Sequence, residues 1–147
     1  MKMLCIDPGA GGAIAYVSTD GNVDAEAMPE GMTAICDRIQ DYAEAGYDKV
    51  IIERVGGYRP GNSGPAAAKF ARHCGWLDVA LYTNKIALYK NPTPQQWMKL
   101  MGVPKFEKVQ DRKRWIKEWV QKRLPKIRVT LTTADALGML IVLTPDE

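Results

Sequence analysis

The sequence predicts an α/β protein built on a mixed sheet with helices on both faces. Three apolar segments open the chain, over 1–7, 12–18 and 23–28, and Asp20-Gly21 between the last two is a strong hairpin signal. After them, short strand-like segments alternate with segments of helical periodicity. An antiparallel three-strand meander followed by such alternation is typical of a mixed sheet covered by helices.

The later elements follow from apolar periodicity and from residues that end helices. A helix is predicted over 33–45, because Gly46 occupies the usual position after a last helical turn. A buried strand is predicted over 48–53, and a polar loop rich in glycine and proline follows over 54–65. The remaining predicted elements are a helix over 66–81, a strand over 85–89, and helices over 94–101, 110–123 and 132–143.

Length and composition indicate one ordinary globular domain spanning 1–147. The chain has 147 residues, of which 46% are hydrophobic and 25% charged, and this is enough for one proper core. No apolar run reaches transmembrane length, and the first residues lack the apolar stretch of a secretory signal. The three cysteines show no CxxC spacing, which favours free thiols over a disulfide framework or a zinc site. We therefore expect a cytoplasmic protein with no membrane partner.

The charge distribution indicates a polyanionic partner. The net charge is only +3, but residues 85–128 carry 13 lysines and arginines against three acidic residues, a local balance of +10. The rest of the chain has a balance of −7. Basic residues spread over several predicted elements favour nucleic acid. The alternative is solvated helix surface, as for Lys113 and Lys117, which are four residues apart.

Three acidic residues stand where an α/β fold brings side chains together. Asp7 closes the first predicted strand ahead of a glycine-rich turn, Glu53 closes the fourth, and Asp135 lies in the first turn of the last helix. If the two strands are parallel neighbours, both strand-end carboxylates leave the same edge of the sheet, where Asp135 can point back at them. Converging carboxylates suit Mg²⁺ or Mn²⁺. Two such ions about 4 Å apart can activate water and stabilise the leaving oxygen of a phosphodiester.

Each acid also has a purely structural interpretation. Asp7 can belong to an ordinary Asp-Pro-Gly turn, and Glu53 can pair with Arg54 or another surface cation. Thr132 and Asp135 have the spacing of a helix capping box, which would make this acid part of a helix start. The occurrence of all three acids in this order is what favours a site.

The same three segments resemble the RuvC-like Holliday junction resolvases of the RNase H-like superfamily, over nearly the whole chain. Pro94-x-x-Trp97, followed by Gly102 and a basic stretch, is similar to the phage-type branch of that family. The segments that carry the resemblance are Ile6-Asp7-Pro8-Gly9 with Gly12, Ile51-Ile52-Glu53 and Ala134-Asp135-Ala136-Leu137.

The resemblance implies a fold, an activity and a set of site residues. The fold is RNase H-like, and the activity is that of an endonuclease acting as a homodimer that binds a four-way DNA junction and makes paired cuts with Mg²⁺ or Mn²⁺. Asp7, Glu53 and Asp135 would be both the catalytic residues and the metal ligands. Such an enzyme would serve DNA recombination and repair in the cytoplasm of a bacterial or phage-infected cell.

The sequence departs from the family at a fourth metal ligand. The resolvases usually carry Asp or His a few residues before the last Asp, but this chain has Thr130-Leu131-Thr132-Thr133 there. Thr132 or Thr133 can offer only a weak neutral oxygen. The alternative function is therefore a catalytically weak or inactive junction-binding protein. A third hypothesis, a phosphate-binding ATPase domain of the actin type, needs two such domains, and 147 residues leave room for one.

Candidate DNA-binding cations lie in a loop and in the helix that follows it. Lys105 and Lys108 follow the Gly102 turn, and the resemblance implies that basic residues in this region lie near the scissile phosphate. Arg112 and Lys113 continue the basic stretch along the next predicted helix. Cations on one face beside the acids would neutralise phosphates and make binding depend steeply on salt.

The aromatic residues fall into two groups. Tyr58 and Arg59 lie in the polar loop after the fourth strand, where a tyrosine ring can stack on an unpaired base. The alternative is a partly buried loop tyrosine. Trp115 and Trp119 repeat at helical spacing and are predicted as core residues. His73 is predicted at the surface or in an interface.

Overall fold

The computed structural model describes residues 2–56 and 63–144 of the chain. The described strands are β1 (Met3–Asp7), β2 (Ala13–Val17), β3 (Val23–Ala27), β4 (Lys49–Ile52) and β5 (Ala87–Lys90). The described helices are α1 (Gly31–Glu44), α2 (Gly64–Thr83), α3 (Pro94–Met101), α4 (Val109–Arg123) and α5 (Ala134–Leu143).

The strands form one mixed sheet in the order β3-β2-β1-β4-β5. The opening meander is antiparallel, since β2 pairs antiparallel with both β1 and β3. The other two pairs, β1 with β4 and β4 with β5, are parallel. Parallel strands need a crossover connection, and here α1 and then α2 provide it. The predicted α/β architecture, a meander joined to parallel strands, is confirmed.

Alternation along the strands divides the core between the two faces of the sheet. Met3 and Cys5 of β1 are fully buried in a cluster with the apolar side chains of α3, α4 and α5. Leu4 and Ile6 are fully buried in a second cluster on the other face, with α1 and α2. Because successive residues of a strand point to opposite faces, one five-residue strand supplies both cores. Helices therefore cover both faces, as predicted.

Local signals account for the helix ends nearest the site. The Thr93 side chain accepts a hydrogen bond from the Gln96 amide, and the Gln96 side chain accepts one from the Thr93 amide, which completes a capping box at the start of α3. Gly102 ends the same helix in a left-handed conformation, with φ of 81°. Together these two features define where α3 begins and ends.

The structure corrects one prediction about the aromatic and imidazole side chains. Trp115 and Trp119 pack against the first core cluster, as predicted. His73 is not a surface residue, because only 6% of it is exposed and its ring meets Trp76 edge-on with centroids 6.3 Å apart. It lies on the same stripe of α2 as Leu77, so the helix turns it inward. No helix among the described residues is long and apolar enough to cross a membrane.

Candidate active site

The parallel pairing of β1 and β4 brings the first two acids together. Ile6 is the register partner of Ile52, and the Glu53 amide donates a hydrogen bond of 3.1 Å to the Ile6 carbonyl. Asp7 and Glu53 therefore leave the sheet side by side at the carboxyl ends of adjacent central strands. The condition stated from the sequence, that these strands be parallel neighbours, is confirmed.

Strand alternation then selects the face on which the acids lie. Met3, Cys5 and Ile51 pack toward α3, α4 and α5. Because alternate residues of a strand point to the same face, Asp7 in β1 and Glu53 after β4 are on that face as well. Asp135 occupies the first turn of α5 on that same side. As a result, the three carboxylates line one cavity of about 380 Å³, together with Arg112 and Lys113 of α4.

The tight turn between β1 and β2 forms one wall of this cavity, and its glycines leave space because they have no side chain. The Gly12 amide donates to the Gly9 carbonyl at 3.0 Å, and Gly9 has a φ of +117°, a conformation that favours glycine. A Cβ atom on Gly12 would lie 1.9 Å from the Asp7 carbonyl oxygen, far inside contact distance. Phe70 of α2 closes the turn from the other side, since its ring lies 3.5 Å from where a Gly9 Cβ would be.

Buried Trp97 positions the Glu53 side chain. Trp97 is fully buried, and its Nε1 donates a 2.6 Å hydrogen bond to Glu53 Oε2. Bonds from a neutral donor to a carboxylate are stronger than neutral pairs. The backbone beneath is tied as well, since the Asn91 side-chain amide donates 2.7 Å to the Ile52 carbonyl. Glu53 is therefore held by a rigid aromatic anchor rather than left at a loop tip.

Electrostatic repulsion and burial make the acids costly to ionise. Burial is the largest cause that raises the pKa of Asp7 to about 8, followed by the nearby charges of Asp135 and Glu53, while Lys113 opposes the shift. Burial also raises the pKa of Asp135, and Lys113 and Arg112 oppose that shift. Carboxylates in such surroundings are strongly stabilised by a bound cation, and perturbed groups of this kind mark functional sites.

We expect the stability of the metal-free protein to depend on pH through Asp7. Its ordinary pKa is 3.8 and its folded pKa is about 8, so between these values the unfolded chain releases a proton that the folded chain keeps. Raising the pH through this window therefore destabilises the fold. Asp7→Asn, which mimics the neutral acid, should gain little at pH 4 and about 2 to 4 kcal/mol over wild type at pH 8. Urea unfolding in EDTA measures the difference.

The matched control for this titration is Asp37→Asn, because Asp37 is an exposed carboxylate on α1. This variant should follow the wild-type stability profile across the same pH range. A stability difference between Asp7→Asn and wild type that is the same at pH 4 and at pH 8 would contradict the prediction.

We also expect Trp97→Phe to weaken the fold and to release the Glu53 side chain. The change removes the only hydrogen-bonding atom of the Trp97 side chain and leaves a small cavity in the core. The loss should cost about 2 to 3 kcal/mol of unfolding free energy. Glu53 should also lose its orientation, so the affinity of the cavity for Mn²⁺, measured by calorimetry, should fall. Trp115→Phe, which alters a partly buried ring of the same core cluster, is the control, and equal losses of Mn²⁺ affinity in both variants would argue against a positioning role.

The predicted DNA-binding residues separate into three groups in the structure. Arg112 and Lys113 line the acid-containing cavity. Lys105 and Lys108 are exposed on the connection between α3 and α4, with the latter at the N-cap position of α4, and neither lines the cavity. Tyr58 and Arg59 lie outside the described residues, so their predicted roles stay predictions.

The predicted weak fourth ligand lies away from the acids. Thr132 is exposed and is not among the described residues that line the cavity. The capping-box interpretation of Asp135 is not what the structure shows either: the N-cap residue is Thr133, with no side-chain capping bond. The hydroxyl of Thr133 instead accepts from the Thr130 amide at 3.1 Å. Asp135 is therefore free of a capping duty and faces the cavity.

The donor chemistry of the cavity fits a divalent cation, although its ligands are not gathered into a finished coordination shell. Three carboxylates line one small space, and hard oxygen donors are the ligands that Mg²⁺ and Mn²⁺ take. Among residues 2–56 and 63–144, however, no cluster of three or more potential metal ligands has metal-binding geometry. Asp7, Glu53 and Asp135 are the residues that would hold the ion.

Sequence reasoning missed two residues that build this site. Trp97 was recognised as part of a motif, but its bond to Glu53 was not foreseen, and Phe70 was not singled out at all. The signal for Trp97 was present, because a tryptophan one turn into a capped helix beside a strand-end acid brings a donor within reach. No local signal identifies Phe70, since its contact with the glycine turn depends on how α2 packs.

The chain is an α/β protein in which three acids line one cavity beside the ends of β1 and β4. Neither a protein-family model nor a curated protein matches the sequence. Among solved structures, RuvC from Thermus thermophilus matches with a TM-score of 0.56 and 17% identity, covering 97% of this chain and 92% of RuvC. RuvC from T. thermophilus in complex with a Holliday junction substrate matches with a TM-score of 0.60 and 18% identity, covering 97% and 91%.

Identities this low establish the fold alone. The chain has the RuvC-like fold, and the likeness predicted from three short acidic segments is confirmed at that level. Its similarity to the phage-type branch stays a prediction.

Proposed function

We propose that this chain is a divalent-metal-dependent endonuclease that binds and cleaves branched DNA, with the four-way junction as its substrate and a homodimer as its working form. The observation that carries the proposal is the single cavity lined by Asp7, Glu53 and Asp135 with two cations on its wall. That RuvC was solved in complex with a Holliday junction substrate supports the choice of branched DNA. A soluble enzyme of this kind would act in the cytoplasm.

The residues of the cavity divide the work of phosphodiester hydrolysis. When bound, Mg²⁺ or Mn²⁺ supplies Lewis-acid activation of water and of the scissile phosphate. Asp7 would be one of the residues that hold the ion; burial raises its pKa, and the nearby charges of Asp135 and Glu53 add to that shift. Glu53 is held in orientation by Trp97. Arg112 and Lys113 attract the phosphate and offset its repulsion by the carboxylates.

A cleavage assay on a synthetic four-way junction tests the proposal. The purified chain should introduce paired cuts with Mg²⁺ or Mn²⁺ and none with EDTA, and linear duplex of the same sequence should be cut far less. A folded protein that leaves junctions intact in both metals is not this enzyme.

The second candidate is a junction-binding protein that has lost cleavage. It is favoured by the absence of a fourth acid or a histidine among the described residues that line the cavity. Calorimetric titration with Mn²⁺ separates the candidates. Tight junction binding without cleavage, and without Mn²⁺ heat in the absence of DNA, would establish the binding protein; Mn²⁺ heat that disappears in Asp7→Asn supports the enzyme.

The proposed dimer has a candidate surface at one end of α2. Val79 is 61% exposed and Tyr82 84% exposed, and Leu88 of β5 is 60% exposed. The helix predicted over 66–81 lies within α2. Clustered exposed apolar residues are typical of interaction sites. Sedimentation of wild type against Tyr82→Lys tests it, because the variant should shift the population toward monomer.

A further inference from the structure

The acid-containing cavity adjoins one further depression, and that depression adjoins another. The first, which we call the arginine cleft, has a volume of about 370 Å³ and lies between Arg54 and Arg112. The second, the outer groove, has a volume of about 840 Å³ and is bounded by Arg54, Lys90 and Lys99. Arg112 lines both the acid-containing cavity and the cleft, and Arg54 lines both the cleft and the groove.

Beyond the acid-containing cavity, the charged residues described along this path are all positive. None of the described residues that line the arginine cleft or the outer groove is acidic. Thr93 and Gln95 add neutral hydrogen-bonding groups to the cleft. The groove also has an apolar wall, formed in part by Leu100, which is 64% exposed. Several cations beside an apolar wall suit a nucleic-acid strand, in which charged phosphates alternate with sugars.

Arg112, at the start of the path, has one hydrogen-bond donor without a partner among the described residues. That donor is its buried Nε. A guanidinium is a permanent cation whose planar donors match the oxygens of a phosphate. A phosphate at the boundary between the acid-containing cavity and the arginine cleft would lie against Arg112, which lines both.

Rigid elements hold the cations of the path. The Arg54 amide donates 2.7 Å to the Pro92 carbonyl, which ties the end of β4 to the segment leading into α3. Lys90 Nζ donates 3.0 Å to the Leu143 carbonyl at the end of α5, which fixes its stem along the groove. An ammonium has three donors, so Lys90 keeps capacity for a phosphate. Lys99 lies in the last turn of the capped helix α3.

We propose that the DNA strand carrying the scissile phosphate leaves the acid-containing cavity through the arginine cleft and the outer groove, where Arg112, Arg54 and Lys99 each contact a backbone phosphate. This inference rests on the proposed function and adds to it the course that the cleaved strand takes across the protein surface. The strand runs past β4 and α3, so Arg54 and Lys99 join the DNA-binding residues. Lys105 and Lys108, outside these depressions, serve another part of the DNA.

The test measures how junction affinity depends on salt, using Asp7→Asn as the background so that no strand is cut. Arg54→Ala and Lys99→Ala should each lower the slope of log affinity against log salt by about 0.9, the loss expected for one phosphate contact. Lys49→Ala is the matched control, because Lys49 is an exposed cation at the opposite end of β4. It should leave the slope unchanged.

Ethylation interference gives the position of the contacts. Ethylating phosphates on one side of the cut should weaken junction binding by the Asp7→Asn protein. This effect should disappear when Arg54→Ala or Lys99→Ala is added to it. If both variants keep the full salt slope and the full interference pattern while the background protein binds the junction tightly, the path is wrong and the nuclease proposal stands. If wild type neither binds nor cuts junctions, the proposed function fails, and the path fails with it.

Discussion

Replacing Asp7 by asparagine should reduce junction cleavage by about a thousandfold or more while leaving junction affinity within a few-fold of wild type. Burial raises the pKa of Asp7 to about 8, and the nearby charges of Asp135 and Glu53 add to the shift, as expected for a carboxylate close to both others. Asparagine keeps the size of the side chain but removes the charge that a divalent cation needs. The loss should therefore fall on the chemical step.

Junction binding should survive this change because it leaves the cations proposed to contact DNA phosphates unaltered. Arg112 and Lys113, which line the same cavity, keep their positive charge in this variant. Single-turnover cleavage and junction titration in EDTA separate the two quantities. Asp37→Asn, which changes an exposed carboxylate of α1, should cut at the wild-type rate. Substantial cleavage by Asp7→Asn in Mg²⁺ or Mn²⁺ would show that the chemistry does not pass through this acid.

Replacing Gly12 by alanine should have the largest effect on stability of any conservative change near the site. The new Cβ would lie 1.9 Å from the Asp7 carbonyl oxygen, and this neighbour is backbone that cannot rotate away. The first two strands would have to separate at their shared turn. We expect a loss of about 3 kcal/mol or more, which for a domain of this size corresponds to a fall of about 10 °C in Tm.

Gly11→Ala is a close control for this change, because a Cβ on Gly11 meets nothing within 4 Å. Its unfolding free energy should stay within about 0.5 kcal/mol of wild type. Thermal unfolding of both variants gives the comparison, and cleavage of the folded Gly12→Ala fraction shows whether Asp7 has moved. Equal stability of the two variants would mean that the turn relaxes more easily than the geometry indicates.

Much of the site could be predicted because its acids are marked by local sequence. Asp7 and Glu53 each interrupt an apolar run at its end, and charged residues are disfavoured within strands, so both positions called for an explanation. Asp135 was more ambiguous, since a helix start explains an acid equally well. The structure removed that ambiguity by showing that α5 has no side-chain cap and faces the two strand ends.

The remaining features depend on contacts between segments far apart in sequence. The bond from Trp97 to Glu53 spans 44 residues, and the burial of His73 depends on the rotation of α2 against the sheet. The path through Arg54 and Lys99 depends on how α3 packs beside the end of β4. Periodicity indicates which face of a helix is apolar, but it does not state which other residue that face will meet.

By itself, the sequence determined the mixed α/β architecture, the order of the three acids and the excess of cations after residue 85. These properties are local, because strand alternation, helix periodicity and turn residues act within a few positions. Only the tertiary structure decided that the acids share one cavity, that Trp97 bonds to Glu53, and that Arg112 lines both this cavity and the adjoining cleft. Those properties arise from packing, in which side chains distant along the chain fill one common space.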